Sequence, residues 1–251
     1  MIEEGILKNQ KVDAVIGLHL GSLYSKLKAG QVGYKYGPTM GCLDDFKIKV
    51  YGKGGHGALP NKTVDPVAIS ASLINNLQTL ISREISPTHP GVISICKIRG
   101  GTTYNIIPEH VELEGTARFI YKDDRNYFSR RLEELSKKFV ESRRGKLDFS
   151  YNFGYPPLVS NDKLIDFFKE NAKEILAPED IIELNEPIMV GEDMSYLLNE
   201  VPGIYFFLGS PKKVDGKYYS HHNSKFDIDE NVLWIDTALF VKTVVSWLNN
   251  N

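Results

Sequence analysis

Cysteine, net charge and long apolar runs are all scarce in this sequence of 251 residues. Its two cysteines, Cys42 and Cys96, lie far apart and predict neither a disulfide framework nor a cysteine metal site, so we expect both in the core. A formal net charge of −2 provides no overall field for nucleic acid or an anionic membrane. No apolar run reaches the ~18 residues of a membrane span, and the N-terminus is not typical of a secretion signal. These absences favour a cytoplasmic protein that acts on a small molecule.

The spacing of apolar residues predicts two structural units. Residues 42–156 follow the order strand, helix, strand, strand, helix, strand, which is typical of an antiparallel ferredoxin-like sheet (βαββαβ) with both helices on one face. Residues 1–41 and 157–251 predict a buried strand that ends at His19, followed by helix, strand and helix. Neither flank is self-sufficient, so we expect the two flanks to form one partial α/β domain into which the middle unit is inserted. The predicted fold class is therefore α/β with an inserted α+β domain.

Helical spacing also predicts which side chains of the middle unit face its core. The first helix places Val67, Ala71 and Ile74 on one face, and the second places Tyr127 and Leu132 inward. Strict alternation in the strand that begins near Phe46 predicts one buried and one exposed face.

Three of the six histidines are candidates for a metal site. His19 lies at the carboxyl end of a buried strand, where α/β sheets open their ligand crevices. His221 and His222 lie in a polar loop ahead of the final helix, and chemistry alone does not choose between them. Most histidines are structural, and hydrolytic zinc usually takes three protein ligands, so two imidazoles do not complete a site. A carboxylate is also needed.

Four further residues are candidates for contact with substrate. Glu192 follows a glycine, and it either starts a helix or lies near a cation. Asn105 either caps a glycine turn or donates to a developing oxyanion. Arg118 either joins a ladder of opposite charges on its strand or holds a substrate carboxylate in a bidentate contact. His56 lies among four glycines, where close backbone approach would let its ring act as a hydrogen-bond donor.

Five stretches of the sequence resemble the amidohydrolase branch of the metal-dependent aminoacylase and carboxypeptidase superfamily, which includes hippurate hydrolase, N-acetyldiaminopimelate deacetylase and auxin-conjugate hydrolases. They occur in the family's order and at its spacing over essentially the whole chain: GLHL, GKGGHGALP, GGTTYNIIPEHVELEGTARF, GEDMSYLLNEVPGIYFFLG and HHNSKFDIDENVL.

The resemblance implies a two-metal site, with zinc or manganese, that hydrolyses an N-acyl amino acid or a similar amide. By the resemblance, His19 and His222, rather than His221, are metal ligands, and Glu192 lines the site. The inserted domain is the family's lid and dimerisation unit, which implies a homodimer. In it, His56 is expected to reach the active site of the partner subunit, while Asn105 and Arg118 hold the tetrahedral intermediate or the substrate carboxylate.

The family's N-terminal metal-binding half and its proton-shuttling glutamate have no counterpart in this sequence, and Met1 resembles an internal methionine of the family. We therefore expect a truncated chain that binds metal weakly and has little or no activity alone. Two alternatives stay open: one half of a split enzyme, whose partner chain carries the missing half, and a non-catalytic dimerising module. A nucleic-acid module is disfavoured because the third strand of the middle unit carries two glutamates.

Overall fold

The structure is a computed structural model that describes residues 1–9 and 11–250. The strands are β1 (Val15–Gly21), β2 (Val32–Tyr34), β3 (Pro38–Met40), β4 (Asp44–Tyr51), β5 (Gly55–His56), β6 (Gly91–Gly100), β7 (Ile106–Ile107), β8 (His110–Phe119), β9 (Lys146–Phe153), β10 (Leu158–Val159), β11 (Ile181–Glu183), β12 (Gly203–Gly209), β13 (Lys213–Val214) and β14 (Lys217–Tyr218). The α-helices are α1 (Pro66–Thr79), α2 (Lys122–Ser142), α3 (Asp162–Ala172), α4 (Met194–Glu200) and α5 (Leu233–Asn250). Short 3₁₀ or π turns cover Pro60–Lys62, Leu80–Glu84, Pro178–Asp180 and Glu230–Val232.

The chain divides into two compact units. The first unit comprises residues 1–39, 158–188 and 193–251, and the second comprises residues 40–157 and 189–192. The chain passes from the first unit into the second two residues before the boundary expected from the sequence. It returns to the first unit one residue after the second expected boundary. The return of residues 189–192 to the second unit is a feature that periodicity did not predict.

The first unit contains a four-stranded sheet in the order β1-β12-β2-β11. Strand β1 runs parallel to β12 with Val15 opposite Gly203 and His19 opposite Phe207, and β12 runs antiparallel to β2. Strand β12 is buried along its whole length, as expected for a central strand covered on both faces. Within the described residues, β1 pairs on one side only and is therefore an edge strand.

Helices α3 and α5 pack against each other and against this sheet to form the core of the first unit. Helix α3 begins after Asn161, whose side-chain oxygen accepts a hydrogen bond from the backbone N–H of Leu164 at 3.2 Å. The core residues with the least exposure are Val32, Ile165, Phe168, Ala172, Phe206, Leu208 and Leu239.

The second unit contains a four-stranded antiparallel sheet in the order β6-β8-β4-β9. Phe46, Ile48 and Val50 of β4 are buried, and they share one core with α1 and α2. This is the βαββαβ arrangement that the sequence predicted, so the α/β fold class with an inserted α+β unit is confirmed.

The inner face of α1 differs in part from the predicted one. Val67 and Ala71 are exposed, whereas Ile74 packs against the core. The apolar residues that α1 buries fully are Ile69, Leu73 and Leu77. Asp65 caps the helix by accepting from the backbone N–H groups of residues 67 and 68. The buried stripe is displaced by about one residue from the predicted one.

Two further expectations about single residues are wrong. Tyr127 of α2 is 37 % exposed, because its hydroxyl donates to Glu84 at the rim of the helix pair. Cys96 is exposed, whereas Cys42 is buried as expected. A register shift between Ile95 and Lys97 interrupts the alternation of β6, and such a bulge reverses which residues face the core.

The final helix is long and apolar enough to be considered as a membrane span. The segment Glu230–Asn250 has a mean hydropathy of 1.2, and 17 % of its best window is buried within the structure. By itself this is weak evidence for a span, since core helices of globular proteins meet the same criterion.

Candidate functional site

His19 lies near the carboxyl end of β1 in the first unit. Its Nδ1 is 2.9 Å from the carbonyl oxygen of Leu20. Because a carbonyl can only accept, Nδ1 carries the proton and Nε2 carries the lone pair. A fixed tautomer of this kind is typical of histidines that bind metal through the other nitrogen.

His221 lies directly beside His19. The two ring centroids are 5.0 Å apart, and the rings cross at 79°. The close approach requires Gly21, whose φ is +115° and whose added Cβ would lie 2.5 Å from the ring of His221. Any side chain at position 21 would therefore displace this imidazole.

The ring of His221 is held as a neutral acceptor. The backbone N–H of Ser22 donates to its Nε2 at 3.2 Å, and the ring stacks at 4.3 Å on Phe226. Burial lowers the pKa of His221 below its ordinary value, and the neighbouring His19 and His222 lower it further. All three effects favour the uncharged imidazole, which is the form that binds metals.

His222 has left-handed backbone geometry, with φ of +66°. This conformation is uncommon for residues other than glycine, although asparagine, aspartate and histidine adopt it more often than the rest, and it turns the chain sharply at the second of two consecutive histidines. The prediction that His222 is a metal ligand stays a prediction. Within residues 1–9 and 11–250, no group of three or more His, Cys, Asp or Glu side chains is arranged to hold a metal ion.

In the second unit, His56 and Asn105 come together through a short strand pair. Strand β5 pairs with β7, with His56 opposite Ile106, and the N–H of Gly57 donates to the carbonyl of Asn105 at 2.8 Å. The Nδ1 of the exposed His56 accepts from the N–H of Ala58 at 3.1 Å. The ring proton of neutral His56 is therefore on Nε2, which leaves that nitrogen as an outward donor.

Arg118 contacts the segment that carries Glu192. Its Nη1 donates to the carbonyl of Met189 at 3.3 Å, and residues 189–192 belong to the same unit. Arg118 does not pair with the glutamates of its own strand, which was one of the two roles considered from the sequence. The two glutamates of β8 pair instead with Lys49 and Lys97, at 2.8 and 2.6 Å. Glu192 precedes α4, for which Asp193 is the N-cap residue.

Sequence reasoning missed Ser22, whose backbone orients His221. No residue type marks this function, because any residue except proline supplies a backbone N–H. The signal that could have indicated it is the glycine at position 21, directly after the strand that carries His19. Sequence reasoning also gave no means to decide that His221 is the imidazole lying beside His19.

The fold agrees with comparisons to known proteins. The sequence profile of Peptidase family M20/M25/M40 matches residues 1–246. The chain belongs to this family, which confirms the resemblance noted in the sequence.

Two curated relatives illustrate the range of the family. Thermostable carboxypeptidase 2 of Saccharolobus solfataricus is 36 % identical over 255 aligned residues, covering 99 % of this chain and 61 % of the relative. IAA-amino acid hydrolase ILR1-like 4 of Arabidopsis thaliana is 32 % identical, covering 99 % of this chain and 56 % of the relative. The chain thus spans about three fifths of the length of the curated relatives it matches.

Two solved structures share the fold. A candidate aminohydrolase from methicillin-resistant Staphylococcus aureus is 31 % identical with a TM-score of 0.86, covering 97 % of this chain and 61 % of that one. The YxeP protein of Bacillus subtilis, a dinuclear metal binding peptidase, is 23 % identical with a TM-score of 0.78, covering 99 % of this chain and 60 % of that one.

Proposed function

We propose that this chain is part of a metal-dependent amidohydrolase that cleaves the amide of an N-acyl amino acid. The observation that carries the proposal is the pair of adjacent imidazoles at the end of β1, in a chain of Peptidase family M20/M25/M40. The range of relatives supports an amide beside a carboxylate, since both a carboxypeptidase and an amino acid conjugate hydrolase are among them.

The donor set of the first unit fits part of a metal site. The ring centroids of His19 and His221 are 5.0 Å apart, so the loop that carries His221 and His222 reaches the end of β1. We propose His19, through Nε2, and His222 as ligands, with His221 held beside them by Ser22. A bound divalent ion, zinc or manganese, supplies polarisation of the amide carbonyl and activation of water.

The second unit supplies polar groups for the substrate. His56 presents an Nε2–H donor, and an exposed donor of this kind stabilises the negative charge that develops on the amide oxygen. Asn105, joined to the same strand pair, adds an amide donor. Arg118, oriented by the carbonyl of Met189, binds the substrate carboxylate with its remaining N–H groups. Glu192 lines the site.

The partners proposed for the chain follow from its open strand edges. The antiparallel strand β6 is an edge of the second sheet among the described residues, and an open edge favours pairing with a second copy. We propose a homodimer through this edge.

Because the described residues place no three ligands together, full activity needs ligands from a further polypeptide segment. We also propose a cytoplasmic location.

Metal binding by the purified chain tests the proposal. We expect zinc or manganese to bind weakly, with His19→Ala and His222→Ala each weakening binding about tenfold or more in calorimetry, because each removes one coordinating nitrogen. Release of methionine from N-acetyl-L-methionine should be slow and should fall in the same variants. His110→Ala, on the exposed side of β8, serves as the control. Metal affinity and hydrolysis that do not change in His19→Ala would contradict the proposal.

A further inference from the structure

A second feature of the first unit is a cavity beside His221. It has a volume of about 500 Å³ and lies between the segments 22–29 and 211–220, a size typical of small-molecule sites. Two of its lining residues bracket the histidine: Ser22 donates its backbone N–H to the ring, and Ser220 precedes His221 in the chain. A molecule in the cavity therefore lies next to the proposed metal ligands.

The lining of the cavity has one sign of charge. Lys26 and Lys28 line it, together with the hydroxyl-bearing Tyr218 and Tyr219 and the two serines that bracket the histidine, and no described lining residue is acidic. Both lysines are exposed to solvent, so each keeps its ammonium available to a ligand. Ammonium and hydroxyl groups together are the donors that bind a carboxylate.

The acids of the neighbouring loop are already engaged elsewhere. Asp215 pairs with Lys225 at 3.0 Å, and Asp227 pairs with Lys212 at 2.7 Å. Asp229 accepts from the N–H of Asn231 at 3.1 Å. In the part of the chain that the structure describes, no carboxylate forms an ion pair with Lys26 or Lys28. The positive charge of the cavity is thus left for a ligand.

We propose that this cavity is an anionic subsite that selects substrates with a second carboxylate, such as N-acyl derivatives of dicarboxylic amino acids. The inference rests on the proposed function, because it names the substrate class of the same site. Lys26 and Lys28 bind the second carboxylate, and the hydroxyl groups orient it.

The matched ligands N-acetyl-L-glutamate and N-acetyl-L-glutamine test the subsite, because they differ only in one carboxylate. In calorimetry at low ionic strength, we expect the intact chain to bind the glutamate derivative about tenfold more tightly, and salt to reduce the difference. The double variant Lys26→Met/Lys28→Met should bind both ligands equally. Lys163→Met, an exposed lysine of α3 in the same unit, should keep the preference, and circular dichroism should show that all variants fold.

Equal binding of the two ligands by the wild-type chain, or a preference that persists in the double variant, would overturn the subsite. Failure of the proposed function gives a different result. In that case N-acetyl-L-glutamine is not hydrolysed in a metal-dependent way, while the preference for the glutamate derivative in binding is unaffected. Hydrolysis of both derivatives at equal efficiency, with equal binding, retains the amidohydrolase and removes the subsite.

Discussion

At the scale of single residues, the most buried charge of the described chain is Asp44 at the start of β4. It is fully buried and accepts hydrogen bonds from Arg125 Nε at 2.9 Å, from the hydroxyl of Tyr151 at 2.7 Å and from the N–H of Gly154 at 3.1 Å. Burial, followed by the charge of Asp44, raises the pKa of Tyr151, and burial raises the pKa of Cys42 to about 12. Both groups are therefore neutral donors to one carboxylate.

Asp44→Asn should destabilise the second unit by about 3–5 kcal/mol, because it leaves the buried guanidinium of Arg125 without its counter-charge. Urea unfolding measured by circular dichroism is the test. Asp45→Asn is the matched control, since Asp45 is exposed and should change the free energy of unfolding by less than about 0.5 kcal/mol. Equal losses in the two variants would show that the ion pair is not the cause.

The candidate-site residues show how far single positions could be predicted. The glycine-flanked His56 and the strand-terminal His19 were identified from the sequence because their local surroundings are distinctive. The contact of Arg118 with Met189 was not predictable, since the two residues lie 71 positions apart and no local pattern links them. The position of the ring proton of His56 on Nε2 follows from the hydrogen bond that the N–H of Ala58 donates to Nδ1. Only the structure shows this contact.

At the scale of elements, an ion pair joins the turn that follows α1 to helix α2 in the second unit. Glu84, at the end of the π turn after α1, accepts from Arg131 Nε at 2.7 Å and Nη2 at 3.0 Å, and also from Tyr127. The hydrogen bonds from Arg131 lower the pKa of Glu84 below its ordinary value of 4.5. A carboxylate with a lowered pKa stabilises the fold above the ordinary value and loses that effect as the pH falls through the folded-state pKa.

Glu84→Gln should cost roughly 1 kcal/mol of unfolding free energy at pH 7, a magnitude reduced by partial exposure to solvent. The difference from the wild type should shrink as the pH falls below 4.5, because the wild-type carboxyl then becomes neutral as well. Denaturant unfolding between pH 3 and pH 7 measures this. Glu133→Gln, an exposed residue of α2, should show no such trend, and a pH-independent cost in Glu84→Gln would contradict the explanation.

Most elements were predictable because helix and strand periods depend on neighbouring residues. The strands around Phe46 and Val111 and the helices after Asp123 and near Leu164 all occur. The buried face of α1 was predicted only in part, because apolar residues lie on two neighbouring helical stripes and packing against the sheet decides which stripe is buried. Stripes one residue apart differ in direction by about 100°.

At the scale of the whole molecule, the outer side of α5 is an apolar surface of the first unit. Trp234, Val241, Val245 and Leu248 are all more than half exposed. Such surfaces mark association sites or regions covered by further chain. The edge strand β1 of the same unit adds unpaired backbone groups.

Val241→Lys/Val245→Lys should leave the free energy of unfolding within about 0.5 kcal/mol per substitution, because both side chains already contact water. Binding of a hydrophobic dye should fall. A dimer formed through β6 should persist in analytical ultracentrifugation, since α5 belongs to a different unit. Leu239→Lys, at a fully buried position of the same helix, should unfold the first unit. Loss of the dimer in the double variant would refute the proposed β6 interface.

The sequence by itself determined the two-unit organisation, the order of elements and the family, because apolar periods and motif spacing are local properties of the chain. The tertiary structure decided which imidazole lies beside His19, the return of residues 189–192 to the second unit, and the charge of the cavity next to Ser22. These depend on loop backbone geometry and on contacts between residues far apart in sequence. The left-handed turn at His222 and the close approach at Gly21 accompany the position of His221, and no local pattern of side chains specifies either.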